Sequence, residues 1–295
     1  MKNLKFVIIL FLSSCAAISP QTAISPQEQT DLGNKYFQDE DYTAAAAQYR
    51  KAADIGHPAA QIALGWLYYY GNGVPKSSET AMDLFNKAAA NDDAEGLANL
   101  GIVYLNIVEN YGMAFELFSK AAAQGNISAQ NELGNMYYYG KGVPQDYTKA
   151  MEWHLKAAEQ GDAYSQGIIA IMYTYGSGVP EDYVKAAEWY TKAAEGGSGF
   201  AQVKLGNIYR DGKGLPQDYV KAIEWYNKAA EDGYYYAQRE LGLMYLHGLG
   251  LAQDYAKAYE LLIKAADQGY EDAIDDLDCY GSYDEIWESI GVCSD

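Results

Sequence analysis

Few residues in this chain stand at spacings that could do chemistry. The 295 residues hold three histidines, His57, His154 and His247. They lie far apart along the chain and at no spacing that would bring two to one metal ion. His154 sits beside Trp153 on an apolar stripe and His247 takes the place of a tyrosine, so both read as structural or surface residues. No serine opens the Ser-x-x-Lys arrangement used for acyl transfer. Asp276, Asp278 and Gly281 echo a calcium loop, but Trp287 stands where that loop needs its closing glutamate. Gly-x-Gly recurs without the third glycine or the following Lys-Ser of a phosphate cradle, which makes it a turn. Paired carboxylates carry no signal in a chain with 40 acidic residues. The expectation is a protein without catalytic residues, metal or cofactor.

The elements that position everything else repeat. Leu133-Gly134 returns as Ile169-Ala170, Leu205-Gly206 and Leu241-Gly242, each step being 36 residues, and Leu64-Gly65 and Leu100-Gly101 extend the series. A fixed period of this size marks a solenoid of stacked supersecondary units. In the unit at 129–162, Ala129, Leu133-Gly134 and Tyr137 share one face of a first helix. Gly140-Lys141-Gly142-Val143-Pro144 stops it. Asp146 is placed to cap a second helix, and Tyr147, Ala150, Trp153 and Ala157-Ala158 are expected to form that helix's buried stripe. A glycine inside the first helix costs up to ~1 kcal/mol, so its recurrence implies a second helix passing too close for a β-carbon. The unit at 101–133 has a shorter turn and lacks the Gly-x-Gly-Val-Pro segment. Seven helix pairs follow, then a closing helix from about Glu271.

The two ends differ in composition. Residues 1–14 have Lys2, Lys5 and the apolar run Phe6–Leu12, which reads as a secretory signal and is too short to span a bilayer. Leu-Ser-Ser-Cys ending at Cys15 looks like a bacterial lipobox, making Cys15 a lipidation site; an ordinary signal with an incidental cysteine is the alternative. Residues 15–27 duplicate Ala-Ile-Ser-Pro-Gln and read as a flexible tether. Cys279 and Cys293 form an even pair in an oxidising compartment. A bridge would pin the tail 279–295 over the open end of the solenoid (28–278); two free thiols are the other possibility. Without Lys2 and Lys5 the chain has 19 basic residues against 40 acidic ones, a net charge of −21. That argues against nucleic acid or an anionic membrane surface as partner and leaves a basic protein, or simple solubility.

The segments 129–161 and 201–233 follow Ala-x-x-x-Leu-Gly-x-x-Tyr-x-x-Gly-x-Gly-(Val/Leu)-Pro-x-Asp-x-x-Lys-Ala-x-x-Trp-x-x-Lys-Ala-Ala-x-x-Gly. This resembles the Sel1-like repeat family, a relative of the tetratricopeptide repeat, over roughly residues 31–278. The resemblance implies an all-α, right-handed α-solenoid of about seven hairpins with a C-terminal capping helix. It also implies that first helices line a concave groove. Carried over, the ligand-facing columns hold Trp66, Asn135, Ile171, Asn207 and Leu243, then Tyr69, Tyr138, Thr174 and Arg210, then Tyr70, Tyr139, Tyr175, Asp211 and His247. Aromatics, amides and one arginine make up a protein-binding surface. Packing of the surplus tyrosines on the neighbouring repeat is the alternative.

The expected function is a non-catalytic protein-binding scaffold, lipid-anchored in the bacterial outer membrane and facing the periplasm. Its partner would be a component of an envelope complex. By resemblance to other lipidated members, an immunity protein that neutralises a secreted toxin such as a phospholipase is the second reading. A β-lactam-hydrolysing enzyme is a third, of a different class.

Overall fold

The computed structural model describes residues 24–90, 92–106 and 108–280, and these contain fifteen helices and no strand. The segment read as a signal, Cys15 and the tail with Trp287 and Cys293 lie outside the described residues. The chain divides into two units, residues 1–91 and 92–295. The first holds two hairpins, α1 (Pro26–Gln38) with α2 (Tyr42–Asp54) and α3 (Pro58–Tyr70) with α4 (Ser78–Ala89). The second holds five: α5 (Ala94–Asn106) with α6 (Tyr111–Ala123), α7 (Ile127–Tyr139) with α8 (Tyr147–Glu159), α9 (Ala163–Tyr175) with α10 (Tyr183–Glu195), α11 (Gly199–Asp211) with α12 (Tyr219–Glu231), and α13 (Tyr235–His247) with α14 (Tyr255–Ala266). A final helix, α15 (Glu271–Tyr280), packs on α14. The seven pairs and closing helix expected from the repeat are all present. Helix α1 opens at Pro26, inside the stretch read as tether, with Ser25 and Glu28 forming a capping box. Within each unit, every second helix also packs on the following first helix, which is the stacking of an α-solenoid.

Local chemistry sets the hairpin boundaries. Asp146, Asp182, Asp218 and Asp254 each accept from the third backbone N–H of the helix they open. Gly140 ends α7 at φ +68, a left-handed cap that only glycine adopts without strain. The turn 140–146 then folds back, and Gly142 lies so close to Tyr111 at the start of α6 that a β-carbon there would collide.

The recurrent helical glycines do what the repeat predicts. At Gly206 a β-carbon would lie 2.6 Å from the Tyr226 ring, and at Gly134 2.6 Å from the His154 ring. Gly242 meets Leu261 and Leu262 in place of a ring, whereas Gly65, Gly101, Gly134 and Gly206 are each a seat for one ring of the paired second helix. This corrects the expected stripe of α8: the core residue is His154, fully buried, whereas Trp153 is half-buried beneath Lys156, whose Nζ is 3.8 Å from the ring centroid. A second repeat departs in the other direction: Ala170 stands where the glycine seat is expected, and Tyr190 is still buried with it in one core cluster.

Successive hairpins are stapled by amides. Gln61, Gln130, Gln166, Gln202 and Gln238 each donate from Nε2 to a carbonyl in the last turn of the preceding second helix, at 3.1–3.4 Å. These glutamines fill carbonyls that a helix end would otherwise leave unpaired in a buried place.

Candidate functional site

The residues picked out by column fall into two sets. In the first unit, Trp66 and Tyr70 of α3 stack with ring centroids 5.8 Å apart. With Asn34, Phe37 and Tyr49 they wall a cavity of about 370 Å³ between α1 and α3. In the second unit, Asn135 and Tyr139 of α7 line a smaller cavity with Asn106, Glu132 and Lys141. Ile171, Thr174 and Tyr175 of α9 face Asn207 and Asp211 of α11 across a cavity of about 290 Å³. The outermost tyrosines are strongly exposed: Tyr70 at 62%, Tyr139 at 60% and Tyr175 at 69%. The column two places past the motif tyrosine therefore meets solvent, and the column after Leu-Gly forms the floor. Tyr69 and Tyr138 are half-buried and pack on rings: Tyr69 on Trp66 and Tyr70, Tyr138 on Tyr139 and on Tyr147 of α8. Leu243 is half-buried on α13 and His247 exposed at its end.

The asparagines of the floor are already engaged. Asn207 Oδ1 accepts from the Tyr226 hydroxyl at 2.5 Å and Asn34 Oδ1 from Tyr49 at 2.8 Å. Burial is the chief cause that holds the Tyr226 phenol protonated well above its ordinary range. Asn135 accepts instead from Tyr164 at 3.2 Å. Arg210 is not the solitary cation that the columns implied. Its Nε donates to Asp211 at 2.8 Å and its Nη1 to the buried Glu240 of α13. Arg239 bonds Glu240 and forks onto Asp276 of α15 at 2.6 and 3.2 Å. This ladder ties α11, α13 and α15 together along one edge.

The one arrangement that looks catalytic lies around His154. Its Nδ1 is 3.2 Å from Ser165 Oγ; Ser165 donates to Asn131, and Asn131 donates to Asp162 at 3.0 Å. His154 and Ser165 are both completely buried, and Asp162 is the N-cap of α9. With no solvent path to the hydroxyl, the group stabilises packing and offers nothing to a substrate. Burial drives the imidazole down to about 4, the charge of Asp162 opposing it. Among the described residues no cluster of histidine, cysteine and carboxylates could hold a metal ion, and no helix is long and apolar enough to cross a membrane. Cys279 is exposed on α15.

Column reading missed Phe37, Phe200, Lys204 and Lys213, which also line these cavities. Phe37 was within reach, since it follows the motif position Tyr36 as Tyr69 follows Tyr68. Phe200 lies seven residues before Asn207, hence on the same helix face.

The family model described as Sel1 repeat matches residues 58–93, 94–126, 127–162, 163–198, 199–234 and 236–270. A protective antigen of uropathogenic Escherichia coli with an SLR fold is 35% identical, with TM-score 0.71 over 85% of this chain and 55% of its own. A Sel1 repeat protein from Oxalobacter formigenes is 31% identical, with TM-score 0.73 over 81% of this chain and 99% of its own. An uncharacterised Sel1-like repeat protein of Schizosaccharomyces pombe is 30% identical over 140 residues, which are 44% of this chain and only 21% of that relative's length. Glycine-seated rings, capped hairpins and six contiguous repeat matches lead to one conclusion: this chain belongs to the Sel1 repeat family.

Proposed function

We propose that this protein is a non-catalytic scaffold that holds a partner protein along its first helices. In this reading a lipid on Cys15 anchors it in the bacterial outer membrane, facing the periplasm. The observation that carries it is the cavities between successive first helices, one in the first unit and two in the second, each walled by an exposed tyrosine and floored by an amide or apolar side chain. Sel1 repeats generally serve as protein-interaction scaffolds, and cavities with aromatic anchors suit protein recognition.

The test is affinity capture from envelopes with the native protein and with a Tyr70→Ala, Tyr139→Ala, Tyr175→Ala variant. These rings are exposed, so the variant keeps its helices. A partner kept by the native protein and lost by the variant supports the groove; identical partners overturn it. Cys15→Ala is expected to move the protein from the membrane pellet to the soluble fraction.

A second reading, an immunity protein that blocks a secreted toxin, draws on the net charge of −19, which would attract a basic effector. An immunity protein of Pseudomonas aeruginosa shares the fold at 22% identity, and at that distance the likeness extends to fold alone. Protection of cells against a co-expressed toxin would favour this reading. Turnover of nitrocefin by the purified protein would overturn both in favour of an enzyme.

A further inference from the structure

This chain habitually covers its aromatic faces with its own lysines. Lys156, Lys192 and Lys228 lie 3.8–4.0 Å from the centroids of Trp153, Trp189 and Trp225. Lys149, Lys185, Lys221 and Lys257 stand 5.1–5.3 Å over Tyr137, Tyr173, Tyr209 and Tyr245. A cation over a ring face is attracted by the ring's quadrupole, more strongly as water is excluded.

The cavity between α1 and α3 departs from that habit. Phe37, Tyr49, Trp66 and Tyr70 converge on it, its remaining polar lining is Asn34 and Asn72, and among the described residues that line it none is a lysine or arginine, so the exposed rings of Phe37 and Tyr70 are the ones open to a cation. Phe37 is 45% and Tyr70 62% exposed. Tyr49 forms the floor, its hydroxyl spent on Asn34. Directly after Phe37 the chain turns through Asp39, Glu40 and Asp41. Asp41 is used to cap α2, while the exposed Asp39 and Glu40 follow Phe37 in a turn held by Glu40 at φ +60.

We infer that this cavity receives the side chain of a lysine or arginine from a basic segment of the partner protein. The inference rests on the scaffold reading above and adds the partner's chemistry. The exposed rings of Phe37 and Tyr70 would take the alkyl stem and the cation, and the acidic turn that follows Phe37 in sequence would attract the charge. A leucine would fill the space and leave the acidic turn unused. An aspartate or glutamate would be repelled by it. The chain's excess of 40 acidic over 21 basic residues draws a cationic segment inward from a distance.

The test uses the full chain and three fluorescein-labelled heptapeptides of sequence Gly-Xaa-Gly-Xaa-Gly-Xaa-Gly, with Xaa arginine, leucine or glutamate. Anisotropy is read at 50 and 300 mM NaCl. The arginine peptide is expected to bind at least ten-fold more tightly than the other two. Phe37→Ala and Tyr70→Ala should each weaken it five- to thirty-fold at both salt concentrations, with circular dichroism unchanged, and Tyr70→Phe should retain binding because the ring face remains. Asp39→Asn with Glu40→Gln should weaken it mainly at low salt. Equal binding of the leucine peptide would overturn the cationic assignment. So would arginine binding indifferent to Phe37→Ala and Tyr70→Ala, since attraction would then come from acidic surface elsewhere, and so would no binding below millimolar. Capture of a partner that depends on Tyr70, Tyr139 and Tyr175, yet is not competed by the arginine peptide, would overturn this inference while leaving the scaffold standing.

Discussion

The hairpins α7–α8 and α11–α12 are near copies in sequence, yet they settle the same packing problem differently. Both place a glycine, Gly134 or Gly206, under a ring of the second helix, and both follow it with an asparagine. In α11–α12 the ring is Tyr226, long enough for its hydroxyl to reach Asn207. In α7–α8 it is His154, too short to do so. Asn135 is then taken by Tyr164, His154 Nδ1 turns to Ser165, and His154 Nε2 is buried without a partner among the described residues. The seat is steric, whereas the polar tip of the ring decides how the groove asparagine is used. A buried imidazole also brings a pH dependence that a phenol does not.

Exchanging the rings gives the largest expected effect. The folded-state value of His154 is lowered from 6.5 to about 4, so its contribution is complete above pH 6.5 and is lost as pH falls toward 4. That loss amounts to about 3 kcal/mol. His154→Tyr, in a seat already furnished with Gly134 and Asn135, should remove this increment. Urea midpoints at pH 7 and pH 4 should fall less for the variant than for the native protein, and parallel profiles would contradict the account.

Filling the seat comes next. Gly206→Ala and Gly134→Ala should each cost about 2 kcal/mol through overpacking, read as a shift in urea midpoint. The Ala170–Tyr190 pair bounds the effect, because an alanine and a buried tyrosine already share that place in one repeat.

Removing the asparagines separates the two hairpins again. Asn207→Ala strands the buried Tyr226 hydroxyl and should cost about 1–3 kcal/mol. Asn135→Ala should cost less, since Tyr164 is 51% exposed and can turn to water. Equal losses would mean that the two asparagines do the same work.

The smallest effect is a gain. Gln160 and Gln268, at the ends of second helices, donate to the Oε1 atoms of Gln130 and Gln238. Asp232 holds the equivalent place in α12, and Gln202 Oε1 is buried without a partner among the described residues. Asp232→Gln should supply that donor and raise stability by about 1 kcal/mol; thermal melts beside Gln160→Ala, which should lose a similar amount, would check it.

Much of the lining of the cavities was legible from columns alone. Tyr70, Tyr139 and Tyr175 meet solvent where a first-helix face predicts, and Trp66, Asn135, Ile171 and Asn207 lie beneath or beside them. Other assignments needed distances. Trp153 was expected in the core in place of His154 because neighbouring residues on a helix differ by only 100° of rotation, and the indole hides its face under Lys156 instead. Arg210 looked solitary because Glu240 is thirty residues away along the chain.

By itself, the sequence determined the hairpins, their caps and turns and the need for a close seat beneath the second helix, because these depend on interactions within a few residues or on a pattern repeated in most units. Only the tertiary structure decided which ring enters each seat, which hydroxyl reaches each asparagine and where aromatic walls enclose space. Those outcomes turn on ångström differences between side chains brought together from separate helices, and neither residue type nor spacing encodes them.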